Sequence, residues 1–262
     1  MKVPGVPSVK VPSVTVQVKV STDKVEKVDA RSERWREHRK KVREEIVDAA
    51  FRAIDRLGPN VSVREIAEEA GTAKPKIYRH FADKSDMFDQ IGERFRDMLW
   101  AAIIPSIDME KDSVGDIIGR GVEHYVELVD QHPNVVRFLL QGRFADQSAA
   151  AMTTVNRGRD ITLAIAAMVS GELSDMELDN SVFELAAFAL FGTAASATDW
   201  WLGANDDTPR RLPPEVFVSH MTTIMMGALN GTANLVGITF DTDLPVHDAV
   251  RRVDSEGADL GR

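Results

Sequence analysis

From Arg31 onward the apolar positions of this chain recur at spacings of three and four residues, the period of an amphipathic helix. Ile46, Ala50, Ala53, Ile54 and Leu57 form the first such face. Gly58 and Pro59 end it, because glycine takes the left-handed conformation after a last helical turn and proline cannot continue the helix. Ser62-Val-Arg-Glu65 is a capping box opening a second, short helix, with Val63, Ile66, Ala67 and Ala70 on its buried stripe. Gly71, Thr72 and Ala73 make a tight turn, and a third helix runs from about Lys74 to Phe81. Asp83 caps a longer fourth helix with Phe88, Ile91, Phe95 and Leu99 on one face. Ser113 with Asp116 opens a fifth, ending near His132-Pro133. Further helical segments are expected over 134–141, 148–170, 179–203 and 214–236. No run of strand signals and no alternation of strands with helices follows residue 21, so the pattern predicts an all-α chain.

The first residues break that pattern. VPGVPSVKVPSV is interrupted by proline, and Val14, Val16, Val18 and Val20 alternate at the strand period with no second strand to pair with. The expected organisation is a Val/Pro-rich disordered arm over 1–30, a helical head over 31–99 with its core at 40–99, a helical body over 100–240 and a tail over 241–262.

Composition narrows the chemistry. The 262 residues include no cysteine, which excludes a disulfide framework, a thiolate zinc site and a thiol nucleophile, and suits a cytoplasmic location. Pro4, Pro7 and Pro12 interrupt any leader-like apolar run, and no uncharged apolar stretch reaches the roughly 18 residues of a membrane span. No membrane partner is expected. The net charge of −9 is unevenly spread: residues 1–30 carry +2, 31–86 carry +3 and 87–262 carry −14. A basic head on an acidic body permits a polyanion partner for the head alone.

Helix, glycine-bearing turn, helix is the helix-turn-helix unit, although an ordinary helical hairpin has the same outline. The third helix adds information. With Ile77 as its buried centre, at about 100° per residue, Phe81 and Ala73 also face inward. Thr72, Pro75, Lys76 and Arg79 then point outward, with Tyr78 on the flank, a face suited to groove and phosphate contacts. Lys84 and the N–H groups opening the fourth helix form a second anion site.

The segment VSVREIAEEAGTAKPKIYRHFADKSDMF resembles the DNA-binding domain of the TetR family of bacterial transcriptional regulators. Ile66-Ala67, Gly71, Ile77-Tyr78, Phe81 and Lys84 carry the resemblance, which covers about Lys40–Leu99. It implies that Lys76, Tyr78 and His80 meet bases or phosphates and that Lys84 meets phosphate. With the outward face, the candidate DNA contacts are Ser62, Thr72, Lys74, Lys76, Tyr78, Arg79, His80 and Lys84. The chain departs from the family's frequent serine at Ala73, glycine at Pro75 and threonine at Lys76. Losing that serine removes a helix cap, typically ~1 kcal/mol. Pro75 is tolerated because it falls in the first turn, where an N–H has no helical partner.

Upstream, Arg31, Arg34, Arg36, Arg39, Lys40, Lys41 and Arg43 form a basic tract. Two readings fit: an arm along phosphates or in the minor groove, or a solvated helix whose cations pair with Glu33, Glu37, Glu44 and Glu45.

In the body, residues 180–203 and 214–240 carry only Glu184, Asp199 and Glu215 as charges. A helix apolar nearly all round is covered on more than one side, so a homodimer is expected, with a wholly intramolecular core as the alternative. The resemblance implies a four-helix dimer bundle from the last two helices and a pocket between about 114 and 170 for a small-molecule effector. Candidate lining residues are Tyr125, Leu128, Phe138, Leu139, Met152, Met168, Phe183, Phe188 and Trp200, with Trp200 and Trp201 closing the pocket or anchoring the dimer. Ten methionines suit a variable, largely apolar effector, and equally suit gap-filling in a core. No cofactor, metal site or catalytic residue is expected: the histidines form no ligand-spaced cluster, and no nucleophile elbow or phosphate loop occurs. The leading function is a ligand-responsive DNA-binding regulator, a repressor released from operator DNA by its effector. The rival is a small-molecule-binding or enzymatic all-α domain whose helix-turn-helix is only structural.

Overall fold

The computed structural model describes residues 22–108, 110–141, 163, 167, 180–203, 209–235 and 237–252. The Val14–Val20 alternation and the 148–170 helix, Leu163 and Ala167 aside, lie outside them. The described residues are helical apart from one short pair of strands. In chain order they form α1 (Thr22–Leu57), α2 (Val63–Glu69), α3 (Lys74–His80), α4 (Lys84–Ile103), a 3-10 turn (Ile104–Ser106), α5 (Val114–Gln131), α6 (Pro133–Gln141), α7 (Asn180–Leu202), α8 (Pro214–Leu235), β1 (Ile238–Phe240), α9 (Val246–Ala249) and β2 (Val250–Arg252).

Two compact units divide between Lys41 and Val42. In the first, helix begins at Thr22 rather than Arg31, inside the segment expected to be a disordered arm. The prolines that break the opening segment, Pro4, Pro7 and Pro12, all lie earlier, so no helix breaker falls between Thr22 and Arg31. Residues 32–41 are exposed throughout, with Trp35 edge-on to His38.

In the second unit, a continuous apolar core runs from Ile46, Ala50 and Ile54 of α1 through Ile66, Ile77, Phe88 and Ile91 to Val129, Phe138, Trp201 and Met221. The expected stripes of α2 and α4 face it; Met87 and Ile103 join them. Three positions differ. Ala70, at the C-cap of α2, is only half-buried. Leu57 is exposed because it closes the last turn of α1, and Ala73 is exposed because it stands at the N-cap of α3, before the helical face begins.

The helix starts follow the expected chemistry. Ser62 Oγ accepts the Glu65 N–H (3.3 Å) while Glu65 Oε2 accepts the Ser62 N–H (2.7 Å), and Ser113 with Asp116 repeats the box on α5. Gly71, at φ +61°, follows α2 while the Thr72 and Gly71 N–H groups donate to Ala67 and Glu68 carbonyls (2.9 and 3.1 Å), the paired bonds of a Schellman end.

α5 packs against α4, α6 and α8, and α7 against α6 and α8. A polar chain ties the head to this body. His132 Nδ1 lies 2.7 Å from Asp55 Oδ2, Asn134 Nδ2 donates to the Asp55 carbonyl (3.1 Å), and buried Arg137 donates to Asn134 Oδ1 (3.1 Å) and the Leu202 carbonyl (2.9 Å). Arg137 thereby satisfies an end carbonyl of α7 that the helix leaves unbonded.

The tail over 241–262 is ordered as far as it is described. β1 and β2 pair antiparallel, Phe240 opposite Val250, and the Gly115 N–H of α5 donates to the Thr242 carbonyl (3.1 Å). Three-residue strands are too short for alternation to reveal in a sequence.

Candidate nucleic-acid interface

α2, the Gly71 turn and α3 form a helix-turn-helix whose inward anchors are Val63, Ile66, Ala67, Ile77 and Phe81. α3 buries one residue of its seven, Ile77, so nearly all its side chains remain at the surface. Lys74, Lys76, Tyr78 and Arg79 are exposed, and the Lys74 ammonium lies 6.0 Å from the centre of the Tyr78 ring. Thr72 and His80 are half-buried, and Lys84 is exposed as the first residue of α4. Ser62 is exposed with its hydroxyl engaged in the cap of α2.

Charge pairing separates α3 from its neighbours. Arg52 and Arg56 pair with Glu69 (3.1 and 2.7 Å), Arg64 with Glu68 (2.9 Å), and Arg94 with Asp48 (3.3 Å). Glu69 is held below the usual carboxylate range by its bonds from Arg56 and Arg52. Among the described residues, none of Lys74, Lys76 and Arg79 has an acidic partner. Three unpaired cations and an amphipathic ring on one short helix make a surface that accepts phosphates and stacks or bonds in a groove.

Two expectations change in detail. The start of α4 is a poorer anion site than its position suggests: Asp83 already bonds the Asp86 N–H (2.8 Å), and Asp86 accepts the Ala82 N–H (2.9 Å). Arg43, counted in the basic tract, turns inward. Its guanidinium makes a two-pronged bond to Asp86 (2.7 and 3.1 Å), donates to the His80 carbonyl and lies 4.5 Å from the centre of the Phe81 ring. Sequence spacing put Arg43 in a basic tract that either lies along phosphates or is solvated; the acidic third residue of α4 is the partner that only the fold reveals.

Residues 46–91, from the buried face of α1 through α3 into α4, match the family of bacterial regulatory proteins of tetR type. This head is a TetR-type DNA-binding domain. An uncharacterized HTH-type transcriptional regulator of Mycobacterium tuberculosis is 27% identical over 229 residues, covering 87% of this chain and 90% of the relative. Another from Haemophilus influenzae is 33% identical over 109 residues, covering 39% of this chain and 51% of its own length. A crystal structure of a tetR-family regulator from Streptomyces coelicolor aligns with a TM-score of 0.58 at 21% identity, over 75% of this chain and 83% of that one, which shows the shared fold. The chain is a transcriptional regulator with a TetR-type head, and the proteins it resembles are regulators rather than enzymes.

The candidate pocket residues that the structure describes do not gather in one place. Leu128, Leu139 and Phe138 are buried in the core, Phe138 with its ring 5.4 Å from that of Phe88 on α4. Phe188 and Trp200 are exposed on α7, with the Arg211 guanidinium 5.1 Å from the centre of the Trp200 ring. Trp201 is fully buried, stacked 4.4 Å from Phe217, its indole N–H donating to the Leu212 carbonyl (2.8 Å). Met152, Met168 and the Phe183 side chain lie outside the described residues. Tyr125 is the one candidate with a polar link across the body: its hydroxyl is 2.8 Å from that of fully buried Thr198 on α7. Burial pushes the Tyr125 phenol up to about 12, against a smaller opposing effect of the Thr198 bond. Thr198 was missed in the sequence, where a threonine among alanines carries no signal. His124 and Glu127 stand 3.4 Å apart, and no metal-holding group of acids and histidines occurs among the described residues. None of the described helices is long and apolar enough to cross a membrane.

Proposed function

We propose that this regulator is a homodimeric repressor that reads double-stranded operator DNA with α3 and is released by a small, largely apolar effector held in the body. The unpaired Lys74, Lys76 and Arg79 beside exposed Tyr78 carry the DNA reading, since a merely structural hairpin has no reason to leave three cations unneutralised on one helix. The head over 31–99 is the reader, Ser62, Thr72, His80 and Lys84 flank its contacts, and exposed residues 32–41 suit phosphates beyond the site. The body over 100–240 supplies dimer contacts and pocket. Leu185, Phe188 and Trp200 of α7 and Ile224 of α8 are exposed large apolar side chains on nearly chargeless helices, and Gly227, Ala228 and Gly231 give α8 a close-approach stripe for a second copy. Tyr125 and Thr198 offer an effector one polar group amid apolar surroundings. The effector releases DNA only by binding the non-reading arrangement more tightly.

Selecting duplexes from a random-sequence pool with the wild-type protein, then titrating the selected duplex against salt, tests the reading. Lys76→Ala and Tyr78→Ala should each weaken that duplex by about 1–3 kcal/mol without lowering the melting temperature. Unchanged affinity in both variants would remove α3 as the reader.

A further inference from the structure

Operator reading depends on where α3 and the start of α4 are held, and one side chain holds both. We propose that Arg43 is a positioning residue for DNA reading: it fastens the C-terminal end of α3 and the first turn of α4 to α1, and does not itself touch DNA. This rests on α3 being the reading helix.

Four contacts converge on the guanidinium. Both prongs meet Asp86, Nη2 to Oδ1 at 2.7 Å and Nη1 to Oδ2 at 3.1 Å. Nη1 also donates to the His80 carbonyl, at the last residue of α3, where a helix leaves carbonyls unbonded. The planar cation lies over the Phe81 ring at 4.5 Å, and Phe81 is buried. Asp86 in turn accepts the Ala82 N–H at 2.9 Å, inside the link between α3 and α4. Arg43 thus touches the end of α3, the residue after it and the third residue of α4, all from α1. A two-pronged Arg–carboxylate pair fixes direction as well as distance, which an ammonium does not. α3 is a short helix with a single buried residue of its own, so its orientation needs such an outside tie.

The arrangement separates positioning from simple attraction to DNA. If Arg43 were a phosphate contact, removing it would weaken specific and random duplexes together and lower the salt slope by about 0.9. Removing the Asp86 charge would then tighten binding, because one negative group near the phosphates is gone. On the positioning reading, Asp86→Asn and Arg43→Met both weaken the selected duplex, and both leave the random duplex and the salt slope unchanged.

The experiment measures binding of wild type, Asp86→Asn, Arg43→Met and Arg43→Lys to the pool-selected duplex and to a random-sequence duplex of equal length, across a salt series. The expected result is a loss of roughly tenfold on the selected duplex for Asp86→Asn, a change equivalent to about 1.4 kcal/mol. Arg43→Lys should fail to restore affinity although it keeps the charge. Circular dichroism melts accompany each variant, and should Arg43→Met fail to fold, Asp86→Asn and Arg43→Lys still decide. Equal or tighter binding by Asp86→Asn, or full activity of Arg43→Lys, overturns the proposal. A wild type that selects no sequence from the pool would instead overturn the DNA reading itself.

Discussion

The head and the last two long helices solve the problem of a surface in opposite ways. In the head, buried Ile66, Ile77, Phe81 and Phe88 are enclosed by the chain itself, and most of what remains outside is charged or capped. In α7 and α8, Leu185 is 68% exposed and Ile224 52%, with scarcely a charge beside them. Both are helical and both have a buried side. Trp35, Leu57 and Tyr78 are isolated apolar exposures among the head's charges, whereas α7 and α8 present apolar area with few charges around it. The contrast teaches that the two kinds of exposed residue have different uses: unpaired cations suit a polyanion, and an uncharged stripe suits a second protein surface.

The strongest way to break this comparison is to put a charge on the stripe. Ala228 is exposed on α8, so Ala228→Glu should leave the folded chain intact but cost the dimer on the order of 3–5 kcal/mol through an unpaired buried charge. Analytical ultracentrifugation should show a monomer with wild-type circular dichroism. A variant dimer as tight as wild type would mean that α8 is covered by something other than a second copy.

A smaller effect tests whether the head is self-sufficient. Gly71 sits at φ +61° with no atom within 4 Å of where a Cβ would lie, so the cost of Gly71→Ala comes from the backbone alone. The expected loss is roughly 1–2 kcal/mol, seen as an earlier thermal transition. Affinity for the selected duplex, measured below that transition, should be nearly unchanged.

The smallest effect concerns the body's interior. In a Tyr78→Phe variant the one phenol left is Tyr125, whose ultraviolet titration should centre at about 12. Its proton is held more tightly in the folded chain than in the unfolded one, where a phenol titrates near about 10. Its contribution to stability is therefore complete below about pH 10 and is lost as pH rises toward about 12. Thr198→Val removes the bond that favours the phenolate, so the titration should move higher still. A titration centred at the ordinary tyrosine value would show that the hydroxyl pair is open to water.

How far each part could be read from the chain depends on the range of the interactions that make it. Capping boxes at Ser62 and Ser113, the cap at Asp83 and the stop at Gly58 each involve residues within a turn of one another, so spacing alone located α2, α4 and α5 and the end of α1. Heptad-like apolar spacing placed the buried faces for the same reason. The outward face of α3 followed from a single buried residue, Ile77, and the helical period.

Arg43 shows the opposite case. Its partner is 43 positions away, and no local pattern distinguishes it from the cations of the tract before it. The polar chain from Asp55 through His132 and Asn134 to Arg137 and Leu202 is likewise built from residues that look ordinary singly. The β1–β2 pair escaped notice because three residues are fewer than a period-two pattern needs, and Leu57 and Ala73 because a helix face says nothing of its own last turn or cap. Local periodicity and capping, short-range and nearly independent of context, determine which segments are helical and which side of each is apolar. Which cation is neutralised, which hydroxyls meet and which apolar face stays uncovered are decided by the packing of distant segments, because charge pairing and burial depend on distance in space, and that distance exists only once the chain has folded.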